Sequence, residues 1–373
     1  MVTWGQPMEG NLLGAMIQDD GDTRFRVWAP TIERVELRLV DPARSHVLLS
    51  RMDDGYHETV VAGLRPGTTY FYRLNSAVDR PDPASRFQPQ GVHGPSGIVP
   101  RDFSWTDSAW HGVAWQEYVI YEAHVGTMTP TGTFGAIMGQ LDDLVRLGVT
   151  ALQLMPIAQF PGGRNWGYDA VHPFAVQNTY GGPHELKKLI DACHARGLAV
   201  VLDVVYNHLG PEGNYLAEFG PYFTDAYRTP WGPAINFDGP DSGPVRDFFI
   251  ANARQWFEEF HVDGLRLDAT HAIHDASPCH FLRELADQVH SLSTRLNRPL
   301  ILIAESNAND PRVVRCAEHD GHGIDAQIVD DFHRALHARL TGERQGFYTD
   351  FGSLQDVAKA YQDGFVLTGQ YSR

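Results

Sequence analysis

Three acidic residues come at or near the ends of three successive apolar segments in the second half of the chain. Asp203 lies in the run VVLDVV, Asp268 ends the run GLRLD, and Glu305 ends the run ILIAE. Alternate residues of a strand share a face, so Arg266 points the same way as Asp268. A neighbouring guanidinium favours the ionised form of a carboxyl, and an ionised carboxylate can act as a nucleophile.

Glu305 differs from Asp268 because it follows a wholly apolar strand and has no basic neighbour in sequence. A desolvated carboxyl retains its proton more readily and can serve as a general acid. Two carboxyls with opposite tendencies are what glycoside cleavage requires. A salt-bridge or capping role explains one such acid, but it explains three acids on successive strands less well.

The segments that carry these acids belong to a repeating β/α pattern. Strands are predicted at residues 118–124, 151–155, 198–205, 264–268, 300–304 and 326–329. Helices are predicted at residues 134–147, 183–196, 245–260, 281–296 and 354–362. This alternation, with strands rich in Val, Ile and Leu, is typical of a parallel sheet covered on both faces. Two long segments that follow strand ends, 159–182 and 207–241, are predicted to be functional loops.

The first part of the chain has a different pattern. Short alternating segments at 25–28, 35–39 and 70–74 are separated by Gly, Pro and Asp, which predicts an antiparallel β-sandwich. We therefore expect three parts: a sandwich domain at 1–95, a linker at 96–112, and an α/β barrel at 113–373.

Composition narrows the partners and the compartment. The chain has 373 residues and a net charge of −16, which argues against a general nucleic-acid binder. No apolar run approaches the roughly 18 residues needed to span a bilayer, so no membrane partner is expected. The N-terminal residues lack the pattern of a signal peptide. Three widely spaced cysteines predict neither disulfides nor a metal pair, which favours a cytoplasmic location.

No cofactor or metal is expected. His271 and His274 have the spacing of some zinc ligands, but no Glu lies between them, and they follow a strand rather than lying on a helix. No closely spaced Asp/Asn loop indicates a calcium site.

The strand ends resemble signature regions of the α-amylase (glycoside hydrolase 13) superfamily. Residues 203–208 (DVVYNH), residues 263–268 (DGLRLD) and the strand ending in Glu305 are similar to three of its ordered motifs. Residues 25–30 (FRVWAP) resemble the sandwich that precedes the barrel in its branching and debranching members. The resemblance implies a TIM-type (β/α)8 barrel after a sandwich similar to a carbohydrate-binding module.

Three further segments, 268–273, 305–312 and 330–337, resemble the members of this superfamily that release trehalose. The resemblance implies retaining hydrolysis of the α-1,4 bond next to the terminal trehalose of maltooligosyltrehalose, so the expected partner is maltooligosyltrehalose or another α-glucan. Asn307 stands where an acid is expected from the resemblance. Trehalose specificity rests on the resemblance alone.

The resemblance also assigns roles. It makes Asp268 the nucleophile, Glu305 the general acid/base, and Arg266 the residue that orients Asp268. It implies that Asp203 supports the nucleophile, that His208 bonds a sugar hydroxyl, and that Tyr168 stacks on the same sugar. Four residues are expected to line the side that recognises trehalose: His271, Asp330, Asp331 and His333. Four aromatic residues are candidate walls of the sugar site: Trp166, Tyr206, Tyr215 and Trp231. In retaining enzymes the two carboxyls lie about 5–5.5 Å apart, and we expect that spacing here.

The barrel of this superfamily has eight strands and a third catalytic acid after the seventh, usually in a His-Asp pair. Six barrel strands are predicted here, and no His-Asp pair follows Asp331. We therefore expect a barrel truncated after about six strands, from a longer protein, with little activity of its own. Two other interpretations stay open: a glucan branching or debranching enzyme with the same pair of acids, and a non-catalytic glucan-binding protein.

Overall fold

The computed structural model describes residues 12–41, 45–100 and 102–369. Its first part contains nine strands: β1 Gly14–Ile17, β2 Thr23–Trp28, β3 Val35–Asp41, β4 His46–Leu48, β5 Ser50–Arg51, β6 Tyr56–Val61, β7 Thr69–Leu74, β8 Val78–Arg80 and β9 Ser96–Gly97. They form two antiparallel sheets, ordered β1-β2-β6-β5 and β4-β3-β7-β8, with β9 also paired to β7. This confirms the predicted sandwich.

The sandwich core follows from strict alternation in its strands. Every second residue of β7 is buried, and the rings of Phe25 in β2 and Tyr70 in β7 meet edge to face across the two sheets at 5.0 Å. The Tyr70 hydroxyl donates to buried Asp82 at 2.6 Å. Ser96 pairs with Tyr70, so the last sandwich strand extends into the residues predicted as linker.

The second part contains ten strands: β10 Ile120–Ala123, β11 Ala151–Leu154, β12 Ala158–Gln159, β13 His172–Val176, β14 Ala199–Val204, β15 Phe223–Thr229, β16 Gly232–Ile235, β17 Gly264–Leu267, β18 Ile301–Ser306 and β19 Ala326–Val329. The helices are α1 Val125–Met128, α2 Phe134–Ile137, α3 Leu141–Leu147, α4 Gly182–His194, α5 Leu216–Phe219, α6 Ser242–Glu258, α7 Phe281–Leu296, α8 Asp330–Thr341 and α9 Leu354–Asp363. None of these described helices is both long and apolar enough to cross a membrane.

Six of these strands form one parallel sheet in the order β10-β11-β14-β17-β18-β19. This sheet confirms the predicted barrel architecture with about six strands. It is open, with β10 and β19 at its edges. Its register places Asp203 of β14 directly opposite Arg266 of β17. Glu305 lies within β18, because that strand runs on to Ser306.

The structure corrects two predictions of local structure. The helix predicted at 134–147 is divided into α2, a 3-10 turn at Met138–Gln140, and α3. Gly135 and Gly139 lower its helix propensity. The two long loops are not structureless, because they contain the hairpins β12–β13 and β15–β16.

A buried histidine ties the segment after the sandwich to the base of the barrel. The ring nitrogens of His194 lie 2.9 Å from Asp107 Oδ2 and 3.0 Å from Asp263 Oδ2. Each ring nitrogen faces a carboxylate oxygen, so His194 bridges Asp107 and Asp263. Asp263 Oδ1 also accepts from the Trp110 indole, and Asp263 Oδ2 from the Val200 amide, each at 2.8 Å. This network fixes the starts of β14 and β17.

Asp263→Asn should lower the free energy of unfolding by about 3 kcal/mol, because it leaves the buried Arg298 guanidinium, 3.7 Å from Asp263 Oδ1, without its counter-ion. Urea unfolding followed by tryptophan fluorescence measures this change. Asp142→Asn is the control, since the Asp142–Arg196 pair is exposed and should be worth less than about 1 kcal/mol. Equal losses of unfolding free energy in the two variants would contradict a structural role for the buried contacts of Asp263.

Candidate active site

The guanidinium of Arg266 contacts the carboxyls of all three acids, Asp203, Asp268 and Glu305. Arg266 Nη1 donates to both carboxylate oxygens of Asp203, at 2.8 and 2.7 Å, and to Asp268 Oδ1 at 3.0 Å. Arg266 Nη2 lies 3.5 Å from Glu305 Oε2. Burial alone would lower the pKa of Arg266, but the charges of Asp203 and Asp268 outweigh it and raise that pKa. The cation therefore stays charged and holds the acids together.

Asp203 is the innermost of the three acids and is 3% exposed. Burial raises its pKa to about 7, although Arg266 and the Tyr168 hydroxyl, which donates at 2.9 Å, act in the opposite direction. Its two oxygens are thus committed to protein donors. This arrangement supports Arg266 rather than reaching a substrate.

Asp268 is held from two sides. Arg266 donates to Oδ1, and Asn207 Nδ2 donates both to Oδ2 at 2.9 Å and to the Asp268 carbonyl at 2.8 Å. These donors fix the orientation of the carboxylate. Asn207 lies in the DVVYNH segment, but the sequence alone predicts no role for it, because nothing in one sequence indicates which strand end its amide meets.

Glu305 is the most accessible of the three acids, with a side chain that is 25% exposed. Its Oε2 accepts a hydrogen bond from the Ala269 amide at 2.7 Å. Ala269 adopts φ +40°, a left-handed conformation that costs energy for a residue with a Cβ. Although Glu305 has no basic neighbour in sequence, Arg266 approaches it across the sheet. Within the described residues Oε1 accepts no hydrogen bond, which leaves it for a substrate.

His208 is oriented by its neighbour in sequence. Its Nδ1 donates to Asn207 Oδ1 at 2.5 Å, and its ring stacks on Trp231 at a centroid distance of 5.1 Å. Desolvation lowers the pKa of His208, so the imidazole is neutral at neutral pH. With Nδ1 protonated, Nε2 of the neutral ring carries a lone pair that can accept a hydrogen bond from a hydroxyl group. Trp231 belongs to the β15–β16 hairpin and is 48% exposed.

The structure corrects the prediction for Asp331. Its side chain is buried, and Oδ2 accepts from Asn309 Nδ2 at 2.9 Å and from the amides of Val366 and Leu367 at 2.9 and 2.8 Å. Those donors anchor residues 366–367, so Asp331 is not available to line a sugar site.

The other three residues predicted for the trehalose side are outside the carboxylate cluster. His271 is exposed in a 3-10 turn, Thr270–Ala272. Asp330 pairs with Arg334 one turn along α8. His333 is exposed, and its ring lies 6.0 Å from that of His337.

Two of the four candidate wall aromatics have other roles. Tyr206 is 1% exposed and donates to Asn252, so it belongs to the core. The Tyr215 hydroxyl pairs with His93, and its ring lies under Arg80 of the sandwich at 4.5 Å. Trp166 is exposed and, like Trp231, stays a candidate wall residue.

Among the described residues, no group of three or more His, Cys, Asp or Glu side chains is arranged to hold a metal ion. The side chains at this site offer carboxyl, guanidinium, imidazole and amide groups. A carboxyl held by two donors next to a second carboxyl with one open oxygen is suited to acid/base and nucleophilic catalysis.

Family models match both parts of the chain. The carbohydrate-binding module 48 (isoamylase N-terminal domain) matches residues 12–85, and the α-amylase catalytic domain matches residues 97–253. The sandwich, the parallel sheet and the acids at its strand ends thus define an α-amylase-type glycoside hydrolase fold.

Individual proteins within this class are similar to the chain over nearly its whole length. The malto-oligosyltrehalose trehalohydrolase of Saccharolobus solfataricus is 51% identical over 359 residues, which cover 96% of this chain and 62% of that protein. The enzyme of the same name from Arthrobacter ramosus is 46% identical, over 94% of this chain and 61% of its own length. A crystal structure of a candidate α-amylase from Salmonella typhimurium superimposes with a TM-score of 0.89 at 40% identity and covers 96% and 61% of the two chains.

Along nearly its whole length the chain is therefore similar to malto-oligosyltrehalose trehalohydrolases, and its two parts match family models of the α-amylase superfamily. It spans about three fifths of the length of the curated relatives named above.

Asp203→Asn should remove a pH dependence of stability. Burial raises the native-state pKa of Asp203 to about 7, from an unfolded value of about 4. The native state then holds a proton that the unfolded state releases, so the contribution of Asp203 to stability falls as pH rises between these values. Urea titrations at about pH 5 and about pH 7.5 should show the wild-type stability decreasing relative to that of Asp203→Asn. A constant or increasing difference would contradict the raised pKa.

Proposed function

We propose that the protein to which these residues belong is a retaining glycoside hydrolase. It cleaves the α-1,4-glucosidic bond next to the terminal trehalose of maltooligosyltrehalose and releases trehalose. The observation that carries this proposal is the placement of Asp268 and Glu305 on one guanidinium, with one Glu305 oxygen open. The choice of substrate is supported by the names of the relatives that cover 94–96% of this chain.

In the first step Glu305 acts as a general acid and donates its proton to the glycosidic oxygen. Asp268 attacks the anomeric carbon, the bond to trehalose breaks, and a covalent glycosyl-enzyme ester forms. Arg266 and Asn207 hold the two oxygens of Asp268 so that the attacking oxygen is aligned before the bond breaks.

In the second step Glu305 acts as a general base and takes a proton from water. The resulting nucleophile attacks the anomeric carbon, the ester bond to Asp268 breaks, and the shortened maltooligosaccharide leaves with its α configuration retained. Neutral His208 accepts a hydroxyl hydrogen bond from the sugar at the cleaved linkage, and Tyr168 stacks on the same sugar. His271, Asp330 and His333 face the trehalose side.

The same proposal covers organisation and location. We expect a sandwich at 1–95, a linker at 96–112 and a barrel at 113–373, although Ser96 and Gly97 at the start of the linker pair with β7 of the sandwich. A cytoplasmic location is supported by the three free thiols, of which Cys279 and Cys316 are exposed.

Asp268→Asn and Glu305→Gln test the roles of the two acids, in the full reading frame that encodes this chain. Each should reduce trehalose release from maltooligosyltrehalose by at least about 10³-fold, because each removes a group that acts directly on the reacting bond. Chromatography of the products measures the rate, and circular dichroism checks the fold.

Asp287→Asn is the control for this pair, since Asp287 is an exposed acid on α7, and its activity should match the wild type. Substantial turnover by either catalytic variant would refute the assignment of roles. New or lost α-1,6 branches without free trehalose would instead support a branching or debranching enzyme. Glucan binding with no bond cleavage by the wild type would support a non-catalytic protein.

A further inference from the structure

Residues 206–208, which form the turn after β14, are held by their side chains rather than by backbone hydrogen bonds. The structure gives no backbone–backbone hydrogen bond to residues 206–208 from any described part of the chain. All three side chains are nevertheless buried. This turn carries Asn207 and His208 into the active site, so side chains rather than backbone must hold it in place.

The first of these side chains is anchored outside the barrel sheet. The Tyr206 hydroxyl donates to Asn252 Oδ1 in α6 at 2.6 Å. Asn252 Oδ1 also accepts from the Trp256 indole at 3.2 Å, and Asn252 Nδ2 donates to the Pro173 carbonyl at 2.9 Å. We call these four residues, Tyr206, Asn252, Trp256 and Pro173, the Asn252 cluster.

The Asn252 cluster admits one orientation of its amide. Two donors face Oδ1 and one carbonyl faces Nδ2, so reversing the amide would set donor against donor. Asn252 is fully buried, and an unsatisfied group there would be costly. The cluster is therefore a fixed point for the Tyr206 ring.

A route of direct contacts leads from this fixed point to the attacking carboxylate. Tyr206 precedes Asn207, and Asn207 Nδ2 donates to both the carboxylate and the carbonyl of Asp268. A small cavity borders Tyr206, Asn252 and Trp256, which gives the ring room to shift if its anchor is lost. A shift of the ring would carry the Asn207 amide away from Asp268.

We propose that Tyr206 and Asn252 are positioning residues for the nucleophile. They act through Asn207 and make no contact with the substrate. The inference rests on the proposed function, since it assigns Asp268 the nucleophilic role. It adds a determinant of catalysis on α6, behind the strand that carries the site.

Tyr206→Phe is the test, because it removes one hydroxyl and keeps the ring that fills the core. In the full-length enzyme kcat should fall about tenfold, as expected when one hydrogen bond that aligns the attacking group is lost, while KM stays within about twofold. Tyr222→Phe is the matched control. The Tyr222 hydroxyl is equally buried, but it donates to the carbonyl of Trp28 in the sandwich at 3.4 Å. The kcat of Tyr222→Phe should therefore equal that of the wild type.

The pH profile separates positioning from a general loss of stability. A carboxylate that loses a hydrogen-bond donor is protonated more easily, so the acidic limb of kcat/KM should move to higher pH in Tyr206→Phe. Asn207→Ala should move it further in the same direction. The double variant should be no worse than Asn207→Ala alone, because Tyr206 acts only through Asn207.

Two results would overturn the inference: a wild-type kcat and pH profile in Tyr206→Phe, or fully additive losses in the double variant. If the wild type itself releases no trehalose, the proposed function fails instead. A wild type that is active, an Asp268→Asn variant that is inactive, and a Tyr206→Phe variant like the wild type would refute the positioning role alone.

Discussion

The site depends on one cation, the partly exposed Arg266, which is shared by three acids. Asp203, Asp268 and Glu305 lie at the carboxyl-terminal ends of neighbouring strands of the parallel sheet, where like charges at short range would repel. Arg266 stands directly opposite Asp203 in the register and contacts all three carboxyls. Removing Arg266 would leave three carboxyls at short range without their shared cation, and Arg266 can fill that place only because the strand register sets it opposite Asp203.

The same constraint extends into the backbone around the site. Ala269 takes a left-handed conformation and directs its amide to Glu305. Asn207 bridges the end of β14 to the carboxylate and carbonyl of Asp268, and the turn that carries it is held by side chains. Rigid elements thus fix Asp268, whereas one oxygen of Glu305 stays open. A fixed carboxylate suits the nucleophilic role that we propose for Asp268, and an open oxygen suits the acid role that we propose for Glu305.

Sequence patterns predicted the parts of this account that depend on local periodicity. Apolar runs located the six strands of the sheet, and alternation placed Arg266 and Asp268 on one face. Contacts between strands were not predictable, because register cannot be derived from one sequence; Arg266 therefore approaches Glu305 although the two residues are far apart along the chain. Asp331 was misassigned for the same reason, since two of its donors are backbone amides more than thirty residues away. The sandwich strands β4, β5, β8 and β9 and the hairpin strand β12 have only two or three residues each, which is too few to show a period.

Arg266 contacts both Asp268 and Glu305, and we propose that it holds them in the arrangement of a retaining glycosidase. Proton NMR of the first turnover products from maltooligosyltrehalose, with the full-length enzyme, tests this proposal. We expect the new reducing end to appear first as the α anomer, with the β anomer growing only by mutarotation. A reducing end that appears first as the β anomer would show inversion and would refute the retaining mechanism.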